Sequence, residues 1–243
     1  MLPGRYLARA ALLPLFVVSA CALAYRPFDG TDADVAELKE IEIEFGPVQY
    51  LREGTDRTLV SPAAVFNMGI AEGWEAVLQA ERDRPLGDDA PPASIGGAGA
   101  FLKTVLREGS LQNKPGLSIA TEFGVLLPDS RGDHGTGASL AGIVSQKWTS
   151  LVAHFNVAAE LTQEHHGDIF VGTIFEGPQR SVRPVAEIFY EHDTGGITTT
   201  SGLIGAIWQW NDDLSFDVGI RRARMGGLDV DEFRAGLTWS FTP

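Results

Sequence analysis

The stretch Ser150–Leu161, SLVAHFNVAAEL, splits into two sets when every second residue is read. Leu151, Ala153, Phe155, Val157, Ala159 and Leu161 are all apolar, while Ser150, Val152, His154, Asn156, Ala158 and Glu160 carry the polar groups. Successive side chains of an extended strand point to opposite faces, so one face is oil and the other holds an imidazole, an amide and a carboxylate. A soluble sandwich would bury the oily face against a second sheet. A membrane barrel would turn the same face outward to lipid and keep the polar one inside.

The rest of the chain repeats the pattern. Strands of roughly ten residues are expected near 38–50, 58–68, 74–81, 95–107, 116–127, 137–146, 149–161, 168–176, 182–191, 198–209, 214–222 and 232–241. In the last of these, Phe233, Ala235, Leu237, Trp239 and Phe241 interleave with Glu232, Arg234, Gly236, Thr238 and Ser240. Two stretches carry a helical alternative: GWEAVLQAERDRP, rich in helix formers, and TDADVAELKE, with Thr31 as its cap. An even number of strands near the length that crosses a bilayer at a tilt favours a membrane barrel over a sandwich, whose strands average ~5–6 residues.

The connections add to this. With a periplasmic N-terminus, the turns at 69–73, 146–148, 177–181 and 210–213 are short. Outward loops at 51–57, 82–94, 128–136, 162–167, 192–197 and 223–231 are mostly longer, and only 108–115 breaks the parity. Trp74, Trp148, Trp208, Trp210 and Trp239 fall near strand ends, where interfacial aromatic belts sit. The chain closes on LTWSF, a signal of the kind read by the barrel assembly machinery, followed here by Thr242 and Pro243. The fold expected is all-β, a transmembrane antiparallel β-barrel of about 12 strands.

The first residues read as an export signal: Arg5 and Arg9, then the apolar run AALLPLFVVSA, then Ala22-Leu23-Ala24 as a cleavage site. Val18-Ser19-Ala20-Cys21 also resembles a lipobox, which would leave Cys21 lipidated. The expected organisation is a signal peptide over 1–24, an N-terminal periplasmic or lumenal segment over 25–37, and an outer-membrane barrel over 38–243. Cys21 is the single cysteine, so disulfides play no part in the fold. A net charge of −13 argues against nucleic-acid binding. The partners expected are outer-membrane lipid and lipopolysaccharide, the assembly machinery and a small apolar solute, with no cofactor.

One region carries a family likeness. Arg26-Pro27-Phe28, the acidic Thr31-Asp32-Ala33-Asp34, Glu42-x-Glu44-x-Gly46, the Asn67…Gly69…Trp74-Glu75 spacing and Gly124 through Leu127-Pro128 stand in order along the chain. This pattern resembles the MetA-pathway-of-phenol-degradation family of bacterial outer-membrane barrels. That family commonly has Thr-Asp-Asp-Ala where this chain has Thr-Asp-Ala-Asp. The resemblance implies an outer-membrane location and uptake of aromatic or other small apolar compounds. It brings no catalytic residues.

In a barrel the polar sets line the lumen. Glu42, Glu44, Glu75, Gln79, His154, Asn156, Glu160, Arg183, Glu187, Glu191, Asp217, Arg221 and Arg234 are therefore the candidate solute path, or a charge network that braces the walls. No catalytic residues are expected. Ser150 and His154 share a face but stand four apart, and Ser130 with His134 lacks a nucleophile elbow. No metal site is expected either. His165 and His166 are adjacent and so point apart, and Asp83, Asp88, Asp89, Asp129 and Asp133 read as solvated loop acids. The function expected is passive passage of a small apolar or aromatic compound, with Tyr25–Leu38 as a hatch. The rivals are a structural barrel with a filled lumen, an outer-membrane hydrolase and a soluble periplasmic sandwich.

Overall fold

A computed structural model describes residues 26–132 and 134–243. The export signal expected over 1–24, Cys21, Tyr25 and Asp133 lie outside the described residues. Twelve strands follow one another: β1 (Ile41–Glu53), β2 (Asp56–Ala71), β3 (Trp74–Pro85), β4 (Ser94–Arg107), β5 (Ser118–Leu126), β6 (Gly137–Lys147), β7 (Val152–Leu161), β8 (Gly167–Glu176), β9 (Val182–Asp193), β10 (Thr198–Gln209), β11 (Leu214–Met225) and β12 (Leu228–Phe241). Each pairs antiparallel with its sequence neighbours, and β1 pairs with β12 from Ile41↔Phe241 to Glu53↔Val230, closing the barrel. Closure leaves no sheet edge with unpaired N–H and C=O groups.

The opening stretch decides its faces as its alternation requires. In β7, His154, Asn156, Ala158 and Glu160 are buried, while Phe155, Val157, Ala159 and Leu161 are exposed on the outside. The sandwich rival is excluded, because a single closed sheet has no second sheet to cover that face. Apolar residues also point inward where something packs on them: Ile174, Val185, Leu203 and Ile207 form a buried patch inside the barrel with Phe28.

Every expected strand is a strand, and neither helical alternative forms. GWEAVLQAERDRP becomes β3, held by ladders to β2 and β4, so pairing on both sides overrides local helix propensity. Residues 31–37 carry no helical turn, and their backbone groups bond to side chains of the wall instead.

The long–short parity of connections is not observed. Stretches read as outward loops continue as paired strand, so β1 joins β2 through 54–55 alone and β11 joins β12 through 226–227. The reason is physical: beyond the apolar band both faces of a strand meet water, so polar residues there do not mark a loop. Gly54, Gly226 and Gly227 supply the positive φ values of +55°, +55° and +93° that such tight hairpin turns require. Conversely 108–117, at the end where β1 begins and β12 finishes, is among the longest connections and folds against the N-terminal segment.

The tryptophans all lie at one end. Trp74 opens β3, Trp148 lies in the β6–β7 connection, Trp208 and Trp210 flank the β10–β11 turn, and Trp239 is near the end of β12. That end also carries Ile41 and Phe241, and it is called the terminal end below. Trp208 packs edge-on against Trp210 with ring centroids 5.2 Å apart, and Trp239 lies tilted against Phe241 at 4.7 Å.

Candidate functional site: the lumen and the segment inside it

Residues 26–40 precede the wall and run through the lumen. Arg26 sits near the terminal end, where its guanidinium meets both carboxylate oxygens of Asp217 at 3.2 and 3.3 Å and its backbone N–H donates to Glu44. Gly46 on β1 and Gly236 on β12 make room for it, since a Cβ at either would fall within 2.4 Å of the guanidinium. The chain then rises to mid-height. The Glu187 carboxylate accepts the backbone N–H groups of Asp29 and Gly30 at 2.9 and 2.7 Å, and Arg234 donates to the Pro27 carbonyl and the Asp29 carboxylate. Phe28 packs on the apolar patch of Ile174, Val185, Leu203 and Ile207.

The return leg uses the opposite wall. Asn156 accepts the Thr31 N–H and donates to the Thr31 carbonyl, at 3.1 and 2.9 Å, so one side-chain amide does the work of a strand partner. Lys103 reaches Thr31 and Asp32, Ser145 accepts the Ala33 N–H at 3.0 Å, and Glu75 accepts the Ala36 N–H at 2.6 Å. Gln112, on the 108–117 connection, donates to the Ala33 carbonyl. The segment joins the wall at Gly69, whose N–H and carbonyl bond to Glu40 and Lys39. Here a Cβ would collide with the Glu37 carbonyl, so only glycine lets the two backbones come this close.

Charge matches on the segment are strong. Burial pushes the Asp29 carboxyl up, but the positive charges of Arg234 and Arg221 outweigh it and hold the group below its ordinary value. Asp32 behaves the same way, burial being outweighed by Lys103 and His154. Asp34 goes the other way, raised by burial and by the neighbouring Asp32 charge.

The thirteen residues expected in the lumen divide into groups. Glu44, Glu75, Asn156, Glu187, Asp217 and Arg234 bond directly to the segment. His154 and Arg183 stand one step behind it: His154 lies between Ser145 at 2.8 Å and Glu176 at 3.0 Å, and Arg183 pairs with Glu176 at 2.6 Å. Glu42 braces the wall, accepting from Ser240. Gln79 bonds the Gly97 carbonyl, Arg221 pairs with Glu232 at 2.5 Å, and Glu160 and Glu191 lie toward the far end, none of them hydrogen-bonded to the described residues of the segment. Sequence reasoning missed Asn67, Lys103, Ser145, Glu176 and Glu232 as site residues, although Glu232 shares the inward set of its strand. For Lys103 the signal was a lone cation within the apolar run FLKTVL.

Ser145, His154 and Glu176 have the composition of a hydrolytic triad, and Ser145 rather than Ser150 is the register partner of His154. Yet Ser145 is fully buried, its oxygen already accepts the Ala33 N–H, and Glu176 is shared with Arg183. Ala33 donates its N–H to Ser145 Oγ, Ser145 Oγ meets His154 Nδ1, and His154 Nε2 meets Glu176, so each of the three side chains has a structural partner. The relay anchors the segment. Ser130 ties the 127–136 connection to Ile95 on β4. Among the described residues no His, Cys, Asp and Glu cluster has metal-site geometry, and His166 lies near Glu164 and Asp193.

The segment splits the lumen. A cavity of about 320 Å³ at the terminal end is lined by Asp32, Glu42, Glu75 and Lys103, among others. A second, of about 470 Å³, opens at the far end between Leu51, Val60, Leu86, Leu126, Glu81 and Glu160. No residue lines both.

Solved structures share this architecture. The COG4313 outer membrane channel from Pseudomonas putida F1 superposes over 86% of this chain and 97% of its own, with a TM-score of 0.62 at 7% identity. This chain has the barrel fold of an outer-membrane channel. The KdgM porin superposes over 83% of this chain and 99% of its own, with a TM-score of 0.52 at 12% identity. At such identities the likeness is one of fold. No protein-family model and no curated protein matches the sequence.

Proposed function

We propose that this chain is a bacterial outer-membrane channel for passive passage of small apolar or aromatic compounds, with residues 26–37 as its hatch. The observation that carries the reading is how the segment is held. It crosses the lumen largely on side-chain hydrogen bonds and on the apolar contacts of Phe28 and Ala33, and its backbone pairs with the wall at Leu38↔Gly69. A plug held by separable contacts can leave without breaking the barrel. Its departure would uncover Ile174, Val185, Leu203 and Ile207, an apolar surface midway along the lumen. The far-end cavity has apolar walls as well, at Leu51, Val60, Leu86 and Leu126. The likeness of Arg26-Pro27-Phe28 and Thr31–Asp34 to the phenol-degradation barrel family falls on this same segment.

Membrane placement follows from the outer face. Ile204, Ile220, Ile188, Leu140 and Phe155 are exposed there, and the tryptophans bound one edge of the apolar band. In this reading the terminal end faces the periplasm. A chain lacking residues 26–37, incorporated in planar bilayers, is expected to conduct several-fold more than the intact protein and to admit phenol into liposomes faster. Unchanged conductance in a correctly folded barrel would overturn the hatch and favour a structural barrel with a filled lumen.

A further inference from the structure

The wall of the far end carries an abrupt step from oil to positive charge. Read across the sheet, one register row places Leu59, Tyr50, Phe233, Ile220 and Ile204 side by side on the outer face. Tyr50, Phe233, Ile220 and Ile204 are 36%, 41%, 60% and 68% exposed, so the row belongs to the apolar band. The next outward-facing row is Arg57, Arg52, Asp231 and Arg222, and above it Arg224 faces Asp229. Arg84 extends the positive face sideways, in register with Leu59. Two rows of one face lie about 7 Å apart along a strand, so the charge begins within one headgroup of the hydrocarbon edge.

This patch runs against the rest of the molecule. The chain as a whole has a net charge of −13, yet five arginines meet only two aspartates here. Asp231 is shared between Arg52 and Arg222, and Asp229 between Arg222 and Arg224. Arg57 and Arg84 make no side-chain hydrogen bond or ion pair with described residues. Arg57 also stands directly across from Arg52, and like charges in opposed positions destabilise a sheet unless an anion lies between them. Guanidinium groups are the side chains best shaped to grip phosphate through two parallel N–H bonds.

We propose that Arg52, Arg57, Arg84, Arg222 and Arg224 form a binding face for the phosphates of lipid A, the phosphorylated glycolipid of the outer leaflet. The acyl chains would lie on the Leu59–Tyr50–Phe233–Ile220 row while the phosphates meet the arginines just above it. The proposal rests on the reading of this chain as an outer-membrane barrel with its terminal end in the periplasm. It does not depend on whether the lumen conducts.

The test uses the full chain folded in detergent micelles, with heat-modifiable gel mobility as the check that each variant is a barrel. Binding is measured for bisphosphorylated lipid A, for lipid A stripped of phosphate, and for phosphatidylglycerol. Replacing Arg52 and Arg57 together by Ala is expected to weaken bisphosphorylated lipid A binding by tenfold or more, about the effect of losing charge-assisted hydrogen bonds. Arg222→Ala should weaken it less, and lysine at both positions 52 and 57 should restore part of it. Arg107→Ala, at the terminal rim, should leave it unchanged. Three results would overturn the proposal. They are equal binding by the Arg52/Arg57 variant, equal binding of phosphate-free lipid A, or phosphatidylglycerol binding with the same strength and the same sensitivity to these variants. Loss of heat-modifiable mobility in the unmutated protein would instead sink the barrel reading on which the proposal stands.

Discussion

Near the terminal end, Glu44, Glu75, Asn156 and Asp217 each direct hydrogen bonds at residues 26–37, whereas Gln79, Glu160 and Glu191 toward the far end reach none of it. The same twelve strands build both halves, and inward polar residues occur in both. A twelve-stranded bore is too wide for its own side chains to fill, so inward groups must find partners. In one half that partner is the N-terminal segment, and in the other the wall bonds to itself around an open cavity of about 470 Å³. The comparison shows that an inward charge on a barrel strand says little about its role until the occupant of the lumen beside it is known.

The comparison can be broken at mid-height, where the segment turns. Arg234→Ala would leave Asp29 buried without its strongest partner and deprive Glu232 of one of its two arginines. A cost of about 3–5 kcal/mol is expected, as for other broken buried ion pairs, seen as a lower denaturant midpoint in micelles and a higher conductance. Phe28→Ala acts on the segment alone. Removing this ring from its patch should cost about 3 kcal/mol of docking and so raise the undocked population more than a hundredfold. Conductance should rise while the unfolding midpoint of the barrel stays put. A fall in the unfolding midpoint as well would mean that segment and wall unfold as one unit.

The smallest effect is expected in the other half. Glu160→Gln alters a far-end cavity group that makes no hydrogen bond to the segment, so stability should change by no more than ~0.5 kcal/mol. The denaturant midpoint in micelles and the conductance should both stay close to those of the unmutated protein. A large loss of stability would show that this half is braced as tightly as the first.

Much of the wall was legible before any coordinates. The alternation in SLVAHFNVAAEL assigned both faces of β7, and similar alternation in β9, β11 and β12 put Glu187, Asp217 and Arg234 inside. Reading failed where local composition and position along the barrel axis part company. Arg52, Asp56, Arg224 and Asp231 resemble loop residues in sequence but are paired strand above the apolar band. Ser145 and Glu176 were missed because each is an ordinary polar residue in its own strand. They matter only through His154 between them.

The sequence by itself determined which side chains face in and which face out, because a strand's period of two is local and needs no partner. It also marked the segment before β1 as distinct, through its acids and Pro27. Only the tertiary structure decided that this segment lies inside the barrel, and whom each group meets there. Glu187 finds the backbone of Asp29 and Gly30, and Arg234 the carboxylate of Asp29, across most of the chain's length. Such pairings are fixed by strand register and by closure of β1 on β12, and neither leaves a mark in any short stretch of sequence.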